Sequence, residues 1–548
     1  MRADHHLGKV LAERDDDAPR RAYADAIEAT DATRAAFVRA QCALAAADRL
    51  DAAAAEHEAR VAAARASEAW DADLRAIPDA FWVYGRGFVD SFGADPATLV
   101  AHAALLAGHP VTSFAMALKQ RDGASLAASG VLTQARRLSL SGAGKAIVEV
   151  LASNLPHLRA LTLATSASTL ARVLDLDAAT NLRELWIDVT DDADAAARAI
   201  AEAPSLTRLT RLRFRAQQAA CGVPGHRGPA PPGPASDDAI ARIARSPHLA
   251  ALEALQLGAV EGARGARAIG ERGDAALKEL VVDDIDEEAG LVLAASALMH
   301  QLERLEMGFA GRRAALALAE NRGATRLRAL SIAGLLQTKE PIGDEGLAAL
   351  ARAPQLQGVM ELDIGSCGVG PAGVAAVADA EAFPRLRSLT VFGGRDLGAA
   401  GFEALARWAS SSELHTLYAP LEDEGAAQAI APLLASPAAA RLRRLDLYGP
   451  TLERGDAVIR AIADAHMPKL THLAMARHVN APSFLTGGAR ALLTSTSLPR
   501  LTILAARLLK VSKATKDALR ARFAVLDSQG LGSVDSFGVS GSSARAKR

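Results

Sequence analysis

The stretch RLRRLDLYGP, residues 441–450, places leucines at 442, 445 and 447. Leu445 and Leu447 flank a single polar residue. In an extended segment both therefore project from one face and Asp446 from the other. The same L-x-x-L-x-L spacing, with other apolar residues allowed, recurs 28 residues earlier at Leu417 and 28 later at Leu473. Followed in both directions, it gives a ladder through Leu138, Leu161, Leu185, Leu212, Leu255, Leu280, Leu305, Leu330, Leu362, Leu389, Leu417, Leu445, Leu473 and Leu501, with steps of 23–32 residues and one of 43. A long ladder with a near-constant step is the signature of a solenoid built from short repeats.

Between the strand segments the spacing turns helical. Ala426, Ile430, Leu433 and Leu434 share one side of a helix, as do Phe402, Leu405 and Trp408. Each unit thus reads as a strand plus a helix, and neither half can bury its apolar face alone. Stacked units sandwich leucine and alanine between a parallel sheet and an outer row of helices. Helices are about 10 Å wide and strands about 4.8 Å apart, so the stack is expected to curve with the sheet inside. The expected fold is an α/β solenoid, a curved horseshoe with a parallel sheet on its concave face. Prolines recur at one phase, in SNLPHLRAL, EAPSLTRLT, RAPQLQGVM, EAFPRLRSL and AHMPKLTHL, where they stop a helix before the next strand.

These features resemble leucine-rich repeat proteins over roughly residues 130–515. The 28-residue units with Gly-Ala before the helix, as in GVGPAGVAAVADA, are similar to the ribonuclease-inhibitor-like class. The asparagine that often follows the strand in that family is mostly missing here: LDLYGP, LDIGSC and LTVFGG carry glycine or another residue. The expected organisation is a helical N-terminal block over 1–115, a solenoid of about fourteen units over 116–520, and a terminal strand with a disordered Gly/Ser-rich tail over 521–548. The 43-residue step contains CGVPGHRGPAPPGPASDD, residues 221–238, a Pro/Gly-rich excursion.

The N-terminal block reads as helical, with Asp17 as a cap and Pro19 in the first turn. FWVYGRGFVDSF reads as a hairpin or as the first strand of the sheet. Asp17, Pro19, Arg20, Tyr23, Ala24, Asp25, Glu28, Arg34, Phe37, Arg39 and Gln41, with RGFVDSF from Arg86 to Phe92, resemble a repeat-companion domain found ahead of repeat regions in myxobacterial and planctomycete proteins. Ala26 and Arg21 stand where that family prefers Trp and Leu. The resemblance implies a cap or adaptor, and a bacterial source. Physically, a solenoid's first unit exposes an apolar end that needs covering.

The 62 Lys and Arg against 63 Asp and Glu give a net charge of −1, which offers no basic footprint for nucleic acid or for an anionic membrane surface. The N-terminus lacks a signal-peptide apolar region, and no run is long and apolar enough to span a membrane. Cys42, Cys221 and Cys367 lie too far apart in sequence for a disulfide framework or a zinc cluster. A monomer in a reducing cytoplasm is expected. SGAGKAIVEV misses the full phosphate-loop pattern, since Ala146 replaces the Ser or Thr that holds magnesium. GARGARAIGERGD fits no nucleotide fingerprint, and no metal or nucleophile motif is present. No cofactor, metal or catalytic residue is expected.

The expected function is therefore a non-enzymatic interaction scaffold whose protein partner lies on the concave sheet. The candidate residues stand beside the ladder leucines: Trp186, Glu306, Asp363, Phe392, Tyr418, Arg444, Asp446 and Tyr448. Exposed aromatics with charged neighbours are typical interface anchors. The alternative is a substrate-recognition arm of an effector or ubiquitin-ligase-like enzyme, which needs a reactive cysteine.

Overall fold

The computed structural model describes residues 2–14, 16–46, 70–216, 233–273, 276–333, 341–391, 397–421, 425–448, 452–476, 485–506 and 511–526. The chain is an α/β solenoid: a largely parallel sheet flanked by repeating helices. It divides into two compact units, Met1–Asp283 and Asp284–Arg548.

In the first unit, helices Arg2–Ala12, Asp17–Ile27 and Ala32–Ala46 bury Val10, Ala24, Ile27, Ala35, Val38 and Cys42 against Phe88. The cap of the second helix is Asp16, not Asp17: its carboxylate accepts from Ala18 N at 2.8 Å. Phe88 lies in a hairpin of β1 (Phe81–Gly85) and β2 (Phe88–Gly93). The turn needs Gly87, whose φ is +86° and whose added Cβ would lie 2.6 Å from Val38 Cα. β2 then pairs in parallel with β3 (Ser113–Leu118), so FWVYGRGFVDSF is both a hairpin and the start of the sheet.

The parallel series continues through β4 (Arg137–Gly142), β5 (Ala160–Thr165), β6 (Glu184–Val189), β7 (Arg211–Ala216) and β8 (Ala254–Val260). β9 (Glu279–Ile285) joins β8 through the Glu253 carbonyl, which accepts from the Lys278 and Glu279 N–H groups at 2.8 and 3.0 Å. Phe92, Phe114, Leu138, Leu161, Leu185, Leu212 and Leu255 stand in one register. The ladder thus begins two steps upstream of Leu138, at two phenylalanines that a leucine-based search passes over.

The second unit repeats the plan with β10 (Arg304–Met307), β11 (Ala329–Ser331), β12 (Glu361–Asp363), β13 (Ser388–Thr390), β14 (Thr416–Pro420), β15 (Arg444–Tyr448), β16 (His472–Ala476), β17 (Ile503–Ala506) and β18 (Ala524–Leu526), all parallel. Leu305, Leu330, Leu362, Leu389, Leu417, Leu445 and Leu473 are in register and at most 2% exposed. The next partner is Leu504, not Leu501. LPRLTILAA satisfies the leucine spacing in two phases, and the paired strand begins at Ile503. Leu501 takes the place held by Leu442 in the earlier unit, buried just ahead of its strand.

The helices are capped in two ways. Ser166, Asp192, Ser236, Asp286 and Ser512 cap their own helices. Helices Ala263–Gly270, Pro371–Asp379 and Thr486–Thr494 start at Gly262, Gly370 and Leu485, which make no side-chain cap. There the preceding helix supplies the carboxylate. Asp237 accepts from Arg264 N at 2.9 Å and from Gly265 N. Asp344 accepts from Gly370 N and Gly373 N at 2.7 and 2.9 Å. Asp456 accepts from Leu485 N at 3.2 Å and from Gly488 N. Most of the excursion, residues 221–232, and the tail beyond Leu526 lie outside the described residues; Ala235 is buried and Ser236 caps helix Asp237–Arg245.

Candidate binding face of the sheet

A strand between two layers would be apolar on both sides. The strands from β4 to β9 are not. In β4 to β9 the residues next to each ladder position are half-buried or exposed, apart from the buried Ala160, while the ladder positions are buried. From β4 to β9 one face packs on the helices and the other is open, whereas all four residues of β17 are buried. The half-open columns carry the charge.

In the first unit Trp186 stands in register with Arg213, whose guanidinium lies 5.3 Å from the indole centroid. Arg213 is held below its ordinary pKa by burial first and then by the charge of Arg215, against the pull of Asp188 and Asp283. Arg215 pairs with Asp283, and Gln256 Nε2 donates to the same carboxylate at 3.1 Å. The Arg215–Asp283 pair reaches over β8, where the intervening residue is Gly258; an added Cβ there would lie 3.1 Å from Arg215 Cγ. Two strand spacings are about 9.6 Å, within an arginine's reach only when the residue between is small. Arg137–Glu184 and Arg211–Glu279 repeat the device, at 3.9 and 3.7 Å, over Ala160 and Ala254.

In the second unit Arg304 pairs with Glu306 on its own strand and with Glu361 two strands away at 3.2 Å, over Ala329. Asp363 follows Glu361 on β12, and its Oδ1 accepts from Gly365 N at 2.9 Å. Burial pushes the Asp363 carboxyl above its ordinary pKa and the Glu306 charge adds to this, against the Gly365 and Ser331 hydrogen bonds. On β15 Arg444 holds Asp446 through two nitrogens, with Nη2 at 2.8 Å and Nε at 3.1 Å from Oδ2. The Arg444 guanidinium also lies 4.9 Å from the ring centroid of Tyr418 on β14. Tyr448 is half-buried at the end of the same strand, in register with Pro420.

Of the eight candidates, Trp186 belongs to the first unit, and Glu306, Asp363, Tyr418, Arg444, Asp446 and Tyr448 belong to the second. Phe392 lies outside the described residues. The structure brings Tyr418, Arg444 and Asp446 together; separately, it sets Glu306 and Asp363 on either side of Ser331, two strands apart, where the Glu306 charge acts on Asp363. Arg304 was not among the candidates, although the pattern R-L-E, residues 304–306, matches R-L-D, residues 444–446. A cation and an acid flanking a ladder leucine share the open face and pair along the strand.

The chemistry available elsewhere is limited. Cys42 is fully buried, with Sγ 3.9 Å from the Arg86 carbonyl, and burial pushes its thiol pKa up to about 11. Cys367 is buried and its Sγ donates to the Ile332 carbonyl at 2.9 Å. Both are packed thiols rather than poised thiolates. Arg39 pairs with Asp25 at 2.7 Å and with Glu28, whereas Arg20 is buried over Phe88 and donates to the Asp16 carbonyl. SGAGKAIVEV forms a repeat's strand end and the opening of helix Gly144–Leu151. Among the described residues, no group of three or more His, Cys, Asp or Glu could hold a metal ion, and no helix is long and apolar enough to cross a membrane.

No family model matches the chain, and no curated protein matches it. Among solved structures it is similar to an internalin from Listeria monocytogenes, with 14% identity, 79% of this chain and 88% of that chain covered, and a TM-score of 0.25. A likeness at that score carries no argument; the strand registers carry the fold.

Proposed function

We propose that this protein is a non-enzymatic interaction scaffold that takes a protein partner on the open face of the sheet, the concave side in the arc expected from strand and helix widths. The observation that carries the reading is the cluster of Tyr418, Arg444 and Asp446, with Tyr448 at its end, on two paired strands. Its backbone is fixed by the ladder and its side chains are already ordered. A partner that docks there gives up little of its binding energy to ordering this surface. Residues 1–115 act as the companion block and cap of a solenoid running over 116–520, and the protein works as a monomer. The effector or ligase-arm reading needs a reactive thiol; Cys42 and Cys367 are packed, and Cys221 lies outside the described residues.

The test compares affinity capture by the full chain with capture by Tyr418→Ala/Tyr448→Ala. Circular dichroism checks that the fold is retained. Loss of two anchors at about 2 kcal/mol each should remove a specific captured protein. An unchanged set of captured proteins overturns this face as the docking surface.

A further inference from the structure

Arg14 follows the first helix and fastens it to the loop just before β3. Its Nη1 donates to the Val111 carbonyl at 2.8 Å and its Nε to the Leu11 carbonyl at 3.1 Å. The same side chain forms one wall of a cavity of about 240 Å³, whose other walls include Leu106, Val111, Phe114, Val131 and the exposed Gln134. Two carbonyls satisfy the guanidinium's geometry without neutralising its charge. The charged neighbours acting on Arg14 are Arg136 and Arg20, and with burial as the larger cause they hold its pKa below the ordinary arginine value. No described carboxylate pairs with Arg14. A half-buried cation in a positive field, on the wall of a largely apolar cavity, favours an anion with an apolar body. An apolar cavity of roughly 150 Å³ accepts benzene, so this one has room for a ring and a carboxylate.

We propose that this cavity is a binding site for a small organic monocarboxylate with one aromatic ring or a short hydrocarbon chain, its carboxylate on Arg14 and its body against Leu106, Phe114 and Val131. Inorganic phosphate meets the charge and the polar lining of Ser129, Thr133 and Gln134; it leaves the apolar walls wet. A neutral amide of the same shape meets only the walls.

Calorimetric titration of the full chain with benzoate, benzamide and inorganic phosphate separates these cases. Benzoate should bind saturably and at least about tenfold more tightly than benzamide, the scale of one charge-assisted contact. Gln134→Glu leaves the Arg14 backbone bonds untouched and sets a competing carboxylate on the cavity wall; it should weaken benzoate about tenfold and spare benzamide. Val131→Trp fills the cavity and should abolish binding of both, with thermal unfolding as the check on folding. Equal binding of benzoate and benzamide, tighter binding of phosphate, no saturable binding at millimolar benzoate, or benzoate affinity unmoved by Gln134→Glu would each overturn the assignment.

Discussion

Gly373 sits in the third position of helix Pro371–Asp379, where helix propensity favours alanine over glycine by about 1 kcal/mol. The structure predicts the opposite sign. An added Cβ would lie 2.6 Å from Asp344 Oδ1 and 3.0 Å from Asp344 Cα. That oxygen accepts the Gly370 and Gly373 N–H groups, so neither the helix nor the carboxylate can move without losing the cap. Loss of an N-cap costs about 1 kcal/mol and up to about 2, and this acceptor serves two donors. Asp344→Ala should therefore cost about 2 kcal/mol, and Gly373→Ala, after its propensity gain, about 1–3 kcal/mol. Repeat arrays unfold through neighbour-coupled steps, so the readout is hydrogen exchange in Pro371–Asp379 rather than one global midpoint. Each single variant should speed exchange there by roughly tenfold or more. In the double variant the clash with Oδ1 is gone while that with Cα persists, so the two losses should sum to less than their parts. Slower or unchanged exchange in Gly373→Ala would refute the reasoning, because helix propensity would then outweigh the inter-repeat contact.

Two predictions concern titration. The Cys42 thiol, about 11 in the fold against an ordinary 9.0, stays protonated in the folded chain where the unfolded chain ionises. Its contribution is complete below pH 9 and drains away as pH rises toward about 11, by at most about 3 kcal/mol; Cys42→Ala should flatten this alkaline limb in urea titrations across pH. Asp363 also has a raised pKa, so its ionised form is disfavoured in the fold and it opposes stability at neutral pH. Asp363→Asn keeps an oxygen for the Gly365 N–H and should raise the urea midpoint at pH 7, with the gain vanishing as pH falls below the ordinary carboxylate range. A lowered midpoint at pH 7 would refute it.

The ladder was legible because one physical demand, an apolar residue on the helix side of every strand, recurs at every unit. It was misread where that demand is met by another residue type or by two phases at once. Phe92 and Phe114 fill ladder positions without leucine, and LPRLTILAA offers Leu501 and Leu504 equally to the spacing. The Gly-Ala opening of GVGPAGVAAVADA was legible as a family mark, but its cause was not. The small residue at Gly373 admits a carboxylate from the helix 29 residues upstream, a contact that neither segment announces alone.

The candidate face was legible as a set of positions and not as a set of partnerships. Column membership follows from strand alternation; ion pairing depends also on what stands on the strand between. Arg304 reaches Glu361 because Ala329 lies between them, and Arg215 reaches Asp283 because Gly258 does. This changes what a partner docking on the proposed face would meet. Arg444 and Asp446 are only 16% and 12% exposed and already satisfy each other, so an incoming charge must break a two-nitrogen pair to engage either. On the proposed reading, recognition there falls on the half-buried rings of Tyr418, against which the Arg444 guanidinium lies, and of Tyr448. On that proposal the charges act as the scaffold of the site and the aromatics as its contact, which is why the test of function removes the two tyrosines and leaves Arg444 and Asp446 in place.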